Sequence, residues 1–203
     1  CDAVWGPVAI RAEIARQEEL LHPQGDGGHL GGLSMDLWKY YDLVDAPVAL
    51  DFMRTMGLNN RVDTALGSFY QSLWRTMSLN GVCASGFIAQ QSVLQGCAWS
   101  NPMATSYAVA WAKWVESRAR VHAYSYADDW YLMCDRYALQ DPSVGPDRPR
   151  DGADPTVTQV RTELTLAAQA TEAFLRDLRL QASPDKCWTF GPSVPVRRAL
   201  RHL

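Results

Sequence analysis

The sequence lacks long apolar runs and the cysteine and histidine patterns of disulfide-bonded or zinc-binding proteins. None of its apolar stretches approaches the roughly 18 residues that a membrane-spanning helix needs. The 5 cysteines include no C-x-x-C pair and the 4 histidines are scattered, which argues against a zinc ribbon and a disulfide scaffold. No secretory signal is visible, since no charged start precedes an apolar stretch. The scattered cysteines are expected to be free thiols of a reducing compartment, so an intracellular location, cytoplasmic or nuclear, is expected, with no membrane partner.

Basic residues are also in short supply. The chain carries 19 Lys and Arg against 22 Asp and Glu, a formal net charge of -3. Proteins that coat duplex nucleic acid usually have a basic surface, so simple duplex coating is disfavoured. An enzyme with acidic residues at its centre fits this charge. The start at Cys1 predicts a piece of a longer, multidomain polypeptide.

The hydrophobic spacing predicts a mixed α+β fold. Helical periodicity covers residues 8–21, 45–57, 60–77, 102–118 and 157–180. Short apolar runs predict strands at 33–37 and 187–190, a β-hairpin at 121–134 and extended or hairpin structure over 81–95. The stretch 140–156 is dense in Pro, Gly and Asp, which predicts a surface loop. This order of elements indicates helices packed on an antiparallel sheet.

The adjacent acids Asp128 and Asp129 lie between aromatic and apolar residues, which is unusual for a solvated turn. Aromatic residues flank them on both sides, among them Tyr126 and Trp130. Two carboxylates on a partly buried hairpin repel each other and lose hydration, unless a cation neutralises them. Carboxylate oxygens without histidine or cysteine are typical of Mg²⁺ sites, with Mn²⁺ as a substitute.

A second acid of this kind is Asp36, on the strand predicted at 33–37. If this strand pairs beside the hairpin, Asp36 and Asp128 meet at one edge of the sheet. Such a pair can hold two metal ions about 3.5–4 Å apart, the arrangement that activates the attacking oxygen in phosphoryl transfer.

At this point the sequence resembles the reverse transcriptases. Tyr126-Ala127-Asp128-Asp129 is similar to their Y-x-D-D hairpin, and residues 36–42 resemble the strand motif with the first catalytic aspartate. Residues 95–100 (QGCAWS) resemble the Q-G-x-x-x-S-P motif, and Lys186 resembles the lysine of the motif after the hairpin. The four motifs follow the family's order over about residues 30–190. The residues of these motifs most resemble those of non-LTR retrotransposon and group II intron-type enzymes.

The resemblance implies an RNA-directed DNA polymerase that transfers a nucleotide from a dNTP to a primer 3′-hydroxyl. It implies an RNA template, a DNA or RNA primer and two Mg²⁺ ions as partners and cofactors. The implied metal site comprises Asp36, the backbone carbonyl of Leu37, Asp128 and Asp129, and the implied nucleotide and template contacts are Tyr41, Gln95, Gly96 and Tyr126. Lys186 completes the catalytic set by protonating or screening the departing pyrophosphate.

Each of these residues also has a purely structural interpretation. Tyr41 would exclude a ribose 2′-hydroxyl or pack in the core, a role that Tyr40 can fill because alternate residues of a strand face opposite ways. Gln95 and Gly96 would lie beneath the nucleotide or form a plain turn before a helix. Lys186 would act on pyrophosphate or be a solvated lysine beside Asp185.

The implied architecture is a polymerase palm with partial fingers and no thumb. Residues 1–32 are expected to form an N-terminal helix and linker, 33–190 the palm and fingers core, and 191–203 a tail towards the thumb. Asn101 departs from the family pattern, because it separates the motif serine from Pro102 and leaves the start of that helix open.

Two other functions stay open. An RNA-dependent RNA polymerase shares the palm but usually reads G-D-D at the hairpin and has a small polar residue near the position of Tyr41. A catalytically inactive relic or RNA-binding module would keep the palm without extending a primer.

Overall fold

The protein is described by a computed structural model that covers residues 29–89, 91–135, 138–139, 156–201 and 203. The chain divides into two compact units. Residues 39–110 form the inserted unit, and the segments before and after them form the sheet unit. The helix predicted over 8–21 lies outside the described residues, as does the loop predicted over 140–156 apart from Thr156.

The described elements match the predicted mixture of helices and strands. The strands are β1 (Gly31–Asp36), β2 (Trp74–Arg75), β3 (Ser78–Leu79), β4 (Val82–Cys83), β5 (Phe87–Ile88), β6 (His122–Tyr126), β7 (Asp129–Cys134) and β8 (Trp188–Phe190). The helices are α1 (Tyr40–Leu43), α2 (Ala46–Thr55), α3 (Asn60–Ser72), α4 (Ser100–Glu116), α5 (Val157–Asp177) and α6 (Val194–Ala199), with a short 3₁₀ helix at Pro184–Lys186.

A four-stranded antiparallel sheet organises the sheet unit, in the order β6-β7-β1-β8. Strand β1 is central and pairs antiparallel with both β7 and β8, while β6 and β7 form a hairpin. The predicted α+β class with an antiparallel sheet is therefore confirmed. The strands predicted at 33–37, 121–134 and 187–190 are the strands of this sheet.

A stacked tryptophan pair lies at the core of the sheet unit. The rings of Trp111 and Trp130 are 4.4 Å apart at an interplanar angle of 27°, and both side chains are fully buried. The indole of Trp111 also donates a hydrogen bond of 3.0 Å to the hydroxyl of Thr171 on α5. Strand β7 and helix α5 therefore share a rigid aromatic core directly behind Asp129.

Glycine at position 31 lets α5 approach the sheet. A Cβ atom at Gly31 would lie 2.6 Å from Cγ1 of Val160, a fully buried side chain of α5. Gly31→Ala should lower the free energy of unfolding by about 1–3 kcal/mol, because an overpacked core must shift. The matched control is Gly67→Ala in α3, where the nearest atom, on Leu50, is 3.8 Å from the added carbon. Denaturant unfolding measures both changes, and equal stabilities would contradict the tight contact.

Burial distinguishes the cysteines of the fold. Cys134 at the end of β7 is fully buried, whereas Cys83 is exposed. Burial, with smaller contributions from the charges of Glu163 and Asp135, raises the pKa of the Cys134 thiol from 9.0 to about 12. The stability gained by keeping this thiol neutral is complete below about pH 9 and is lost as the pH rises towards about 12.

This burial predicts selective alkylation. Only the thiolate is nucleophilic, so Cys83 should react with iodoacetamide at pH 8 in the folded protein, and Cys134 only after unfolding. Mass spectrometry of the labelled peptides reads out both sites. Equal labelling rates in the folded protein would show that β7 is not packed as described.

The inserted unit begins with well-delimited helices. The carboxylate of Asp45 accepts a hydrogen bond of 3.4 Å from the amide of Val48, and Pro47 lies in the first turn of α2. Gly57 follows the helix with a φ of 94°, a conformation that glycine adopts without strain. The helix predicted over 45–57 is confirmed.

The helix predicted over 60–77 is too long. Helix α3 ends at Ser72, and β2 then pairs with β5. Apolar residues continue at helical spacing as far as Met77, but backbone pairing between strands decides the conformation there. The hairpin of β3 and β4 turns at Asn80 and Gly81, which both have positive φ, and so begins before the region predicted over 81–95.

The later helices lie close to their predicted positions. Helix α4 begins at Ser100, with Asn101 and Pro102 in its first turn, so the inserted Asn101 leaves the helix in place. Helix α5 starts at a reciprocal capping box between Thr156 and Gln159. None of the helices in the described part of the chain has the length and apolar character that crossing a membrane requires.

Candidate active site

Strand pairing brings Asp36 and Asp129 together. Asp36 is the final residue of β1, Asp129 is the first of β7, and the two are directly opposed in the antiparallel register. Opposed residues of such a pair have Cβ atoms about 4.5–5.5 Å apart. The expectation that the strand of Asp36 lies beside the hairpin is therefore met at the level of the backbone.

Asp128 lies in the tight turn between β6 and β7. Tyr126 pairs with Asp129, which leaves Ala127 and Asp128 as the turn. Ala127 has a φ of 53°, a left-handed conformation that costs a non-glycine residue about 1–2 kcal/mol. The turn is tied to the first strand, because the carbonyl of Asp128 accepts a hydrogen bond of 2.9 Å from the amide of Leu37.

The segment before β8 closes the other side of the site. The amide of Ser183 donates to the carbonyl of Asp36 at 2.8 Å, and Leu37 forms a bridge with Ala182. The 3₁₀ helix that follows presents Lys186, whose Nζ is 2.9 Å from Oδ2 of Asp36. Four predicted site residues, Asp36, Asp128, Asp129 and Lys186, are therefore gathered at one end of the sheet.

The charges of this group act on one another. Burial raises the pKa of Asp129, the negative charges of Asp128 and Asp36 raise it further, and Lys186 opposes the shift. The hydrogen bond to Asp36 raises the pKa of Lys186, and the three carboxylates favour its charged form. Three carboxylates and one ammonium leave the site with two uncompensated negative charges.

The ion pair itself contributes little to stability. The side chain of Asp36 is 13% exposed, but that of Lys186 is 69% exposed and can leave its partner at low cost. An exposed lysine held only by an ion pair can be displaced from its carboxylate by a competing cation. Lys186 is thus both largely exposed and paired with Asp36, while its action on pyrophosphate stays a prediction.

The donor set fits a magnesium ion that keeps much of its water. Within the described ranges, no three His, Cys, Asp or Glu side chains converge as a complete metal-ligand cluster. Magnesium does not require one, because it is usually held by one or two carboxylates together with waters and substrate phosphates. Asp36 and Asp128 or Asp129 can supply such carboxylates, one of which already pairs with the ammonium of Lys186.

Two other predicted site residues, Tyr126 and Leu37, also lie near the hairpin. Tyr126 ends β6 opposite Asp129 and is half exposed, so its ring is available to a ligand at this end of the sheet. The backbone of Leu37 follows Asp36 directly, and its side chain is buried. Both residues therefore lie in the sheet unit with the acids.

The two tyrosines after Asp36 are not part of a strand. Lys39 has a φ of 46°, and Tyr40 and Tyr41 then enter the short helix α1, so the expected alternation of a strand is wrong at this point. Tyr40 is buried and its hydroxyl donates to the carbonyl of Ala104 at 2.7 Å, which is the core role considered for it. The partly exposed Tyr41 donates to Oδ1 of Asn101 at 2.7 Å.

Gln95 and Gly96 form an exposed turn in the inserted unit. Gly96 has a φ of 86°, and the amide of Cys97 closes the turn by donating to the carbonyl of Leu94 at 3.0 Å. The hydroxyl of Ser100, at the start of α4, also donates to the carbonyl of Leu94. The turn before a helix is therefore present, with both predicted contact residues open to solvent.

Sequence patterns gave no sign of the segment that closes the site. Ser183 and Ala182 act through backbone groups, which every residue possesses, so no residue type marks them. Asn101 did carry a signal, since it interrupts the family motif, and its side chain proves to be the partner of Tyr41. No protein-family model matches the sequence, and no curated protein is significantly similar to it.

Proposed function

We propose that the sheet unit is the palm of an RNA-directed DNA polymerase of the retroelement type. The observation that carries the proposal is the gathering of Asp36, Asp128 and Asp129 around Lys186 at one end of an antiparallel sheet. Repelling carboxylates are costly in a fold that does not use them. Their value lies in holding cations against the phosphates of a nucleotide.

Asp36 and Asp128 would hold two Mg²⁺ ions, with Asp129 and the carbonyl of Leu37 in support. The bound ions would lower the charge barrier to attack of a primer 3′-hydroxyl on the α-phosphate of a dNTP. The protein's own contribution is to position the reactants, since the bonds that form and break join only oxygen and phosphorus. The turn bond between Leu37 and Asp128 keeps two of these ligands in register.

Lys186 has a second task in this proposal. Its ammonium would leave Asp36 when a cation binds and would then face the departing pyrophosphate, whose charge it can screen or to which it can give a proton. The partly exposed Tyr41 would contact the sugar of the dNTP. Gln95, Gly96 and Tyr126 would contact the incoming nucleotide and the template base.

Primer extension tests the proposal directly. The full chain is supplied with an RNA template, an annealed DNA primer, Mg²⁺ and either dNTPs or rNTPs. Extension with dNTPs supports the proposal, and extension only with rNTPs would indicate an RNA-dependent RNA polymerase. Binding of RNA without extension or a metal site would indicate an inactive relic or RNA-binding module.

Iron-mediated cleavage locates the metal site without any turnover. Fe²⁺ replaces Mg²⁺ at oxygen-ligand sites. In air, Fe²⁺ reduces dissolved O₂ to hydroxyl radicals that cut the nearby backbone, and dithiothreitol returns the iron to Fe²⁺. Cuts are expected next to residue 36 and residues 128–129, and excess Mg²⁺ should suppress them. Asp36→Asn should abolish the cuts while Asp185→Asn, an exposed neighbour of Lys186, should not. Cleavage spread evenly along the chain would reject the metal site.

A further inference from the structure

A cavity in the inserted unit has no part in the proposed reaction. It has a volume of about 190 Å³. Sites for drug-sized ligands typically have volumes of about 300–1,000 Å³, so a cavity of this size suits a small ligand. Its wall is largely apolar and includes Ala46, Pro47, Leu50, Leu73 and Ile88.

Two arginines line the cavity, and one of them is already neutralised. Nε of Arg54 is 2.8 Å from Oδ2 of Asp63, and the same guanidinium also pairs with Asp51. With two carboxylates beside it, Arg54 offers no net positive charge to a ligand. Any charge recognition in this cavity therefore depends on the second arginine.

Arg75 has no carboxylate partner in the part of the chain that the structure describes. Its terminal nitrogens donate to the hydroxyl and to the carbonyl of Ser92, both at 3.0 Å, and both acceptors are neutral. Nε of Arg75 is buried and has no hydrogen-bond partner among the described residues. The charge of this partly buried guanidinium is therefore not balanced by a carboxylate among the described residues, and an anionic ligand in the cavity would balance it.

The backbone at Ser92 is adapted to this arginine. Ser92 has a φ of 103°, a conformation that L-residues rarely adopt, and its amide donates to the carbonyl of Val44 at 3.0 Å. In this conformation Ser92 offers both its hydroxyl and its carbonyl to one guanidinium. The guanidinium is thereby oriented before any ligand binds.

We propose that this cavity binds a small carboxylic acid with an apolar body, whose carboxylate pairs with Arg75. One uncompensated positive charge matches one negative charge. Each terminal nitrogen of Arg75 uses one N–H on Ser92 and keeps a second, which can donate a charge-assisted hydrogen bond to a carboxylate. The apolar wall accepts a hydrocarbon body but offers little to a doubly charged phosphate. The inference does not depend on the proposed polymerase activity, because it uses no residue of the acidic site.

Calorimetric titration of the full chain with 4-phenylbutyrate tests the site. The acid should bind saturably and at least tenfold more tightly than its neutral amide, 4-phenylbutyramide, because only the acid pairs with Arg75. Arg75→Gln should weaken acid binding at least tenfold and leave amide binding unchanged. Equal affinities for acid and amide, unchanged binding by Arg75→Gln, or tighter binding of inorganic phosphate would overturn the proposal.

A variant that fills the cavity gives a second test that keeps Arg75 intact. Gly67 lines the cavity on α3, and only Leu50 Cδ1, at 3.8 Å, is near an added Cβ. Gly67→Leu should abolish binding of 4-phenylbutyrate, while the smaller Gly67→Ala should keep it. Circular dichroism melting confirms that each variant is folded. Full binding by a folded Gly67→Leu variant, or none by the folded wild type at millimolar probe, would overturn the proposal.

Discussion

Asp128→Asn should abolish primer extension and leave the fold intact. The substitution keeps the shape of the side chain and removes one of the charges that would hold the catalytic cations. The rate should fall by about 10²–10³-fold or more, the effect of losing one preorganised electrostatic contact to a transition state. Removing a carboxylate beside Asp129 also relieves repulsion, so the metal-free protein should be as stable as before or slightly more stable.

The two halves of this prediction need separate measurements. Extension rates are compared with those of Asp185→Asn, which removes the same charge from an exposed neighbour of Lys186. Melting is followed in the presence of EDTA. A large loss of stability in Asp128→Asn would make Asp128 a structural residue of the turn, and normal extension would remove it from the proposed site.

Tyr41→Ala should relax the choice between deoxyribonucleotides and ribonucleotides. If the ring of Tyr41 is the wall against the 2′-hydroxyl, its removal opens space that an rNTP can use. The ratio of kcat/KM for rNTPs to that for dNTPs should rise by about 10²-fold, the size of discrimination that a steric pocket supplies. The ratio is the proper readout, because the overall rate should fall when the sugar loses a packing surface.

Tyr41→Phe separates the ring from the hydroxyl. It removes the bond to Asn101 but keeps the aromatic wall, so the ratio of rNTP to dNTP use should stay close to that of the wild type. If Tyr41→Phe relaxed the ratio as much as Tyr41→Ala, the bond to Asn101 would be the active feature. An unchanged ratio in both variants would leave Tyr41 as a packing residue of the inserted unit.

The sequence supports prediction best where local patterns and backbone pairing agree. The hairpin of β6 and β7 follows from its aromatic and β-branched residues, and helix α2 follows from Asp45, Pro47 and Gly57. Asp36 and Asp128 could be placed at one edge of the sheet because the first lies near the end of a predicted strand and the second at the turn of a predicted hairpin. In these segments the local preference of the chain and the final packing favour the same structure.

Prediction was weakest where distant residues decide the local conformation. The apolar spacing after Asn60 continues past Ser72, but pairing with β5 turns the chain into a strand. Tyr40 and Tyr41 are expected from the sequence to alternate as residues of a strand do, yet the left-handed Lys39 directs them into helix α1. Hydrophobic periodicity contains no information on either event, because each depends on the partner that the chain meets.

The contacts of the arginines and lysines were the least predictable. Lys186 reaches Asp36 only because β8 pairs with the same strand that carries the aspartate. Arg75 acquires its cavity from residues of two helices and a strand that approach only in the folded unit. Long flexible side chains can reach many partners, so their contacts follow from the fold and not from the residues beside them.

The stacked rings of Trp111 and Trp130 make the protein its own spectroscopic probe. Excited states of two indoles 4.4 Å apart couple to each other, and such coupling splits their bands in circular dichroism into a couplet of opposite signs. The couplet should vanish on unfolding, since it exists only while the rings are held together. Because Trp130 directly follows Asp129, titration with Mg²⁺ in the absence of nucleotide should perturb this couplet whenever an ion settles at the end of β7.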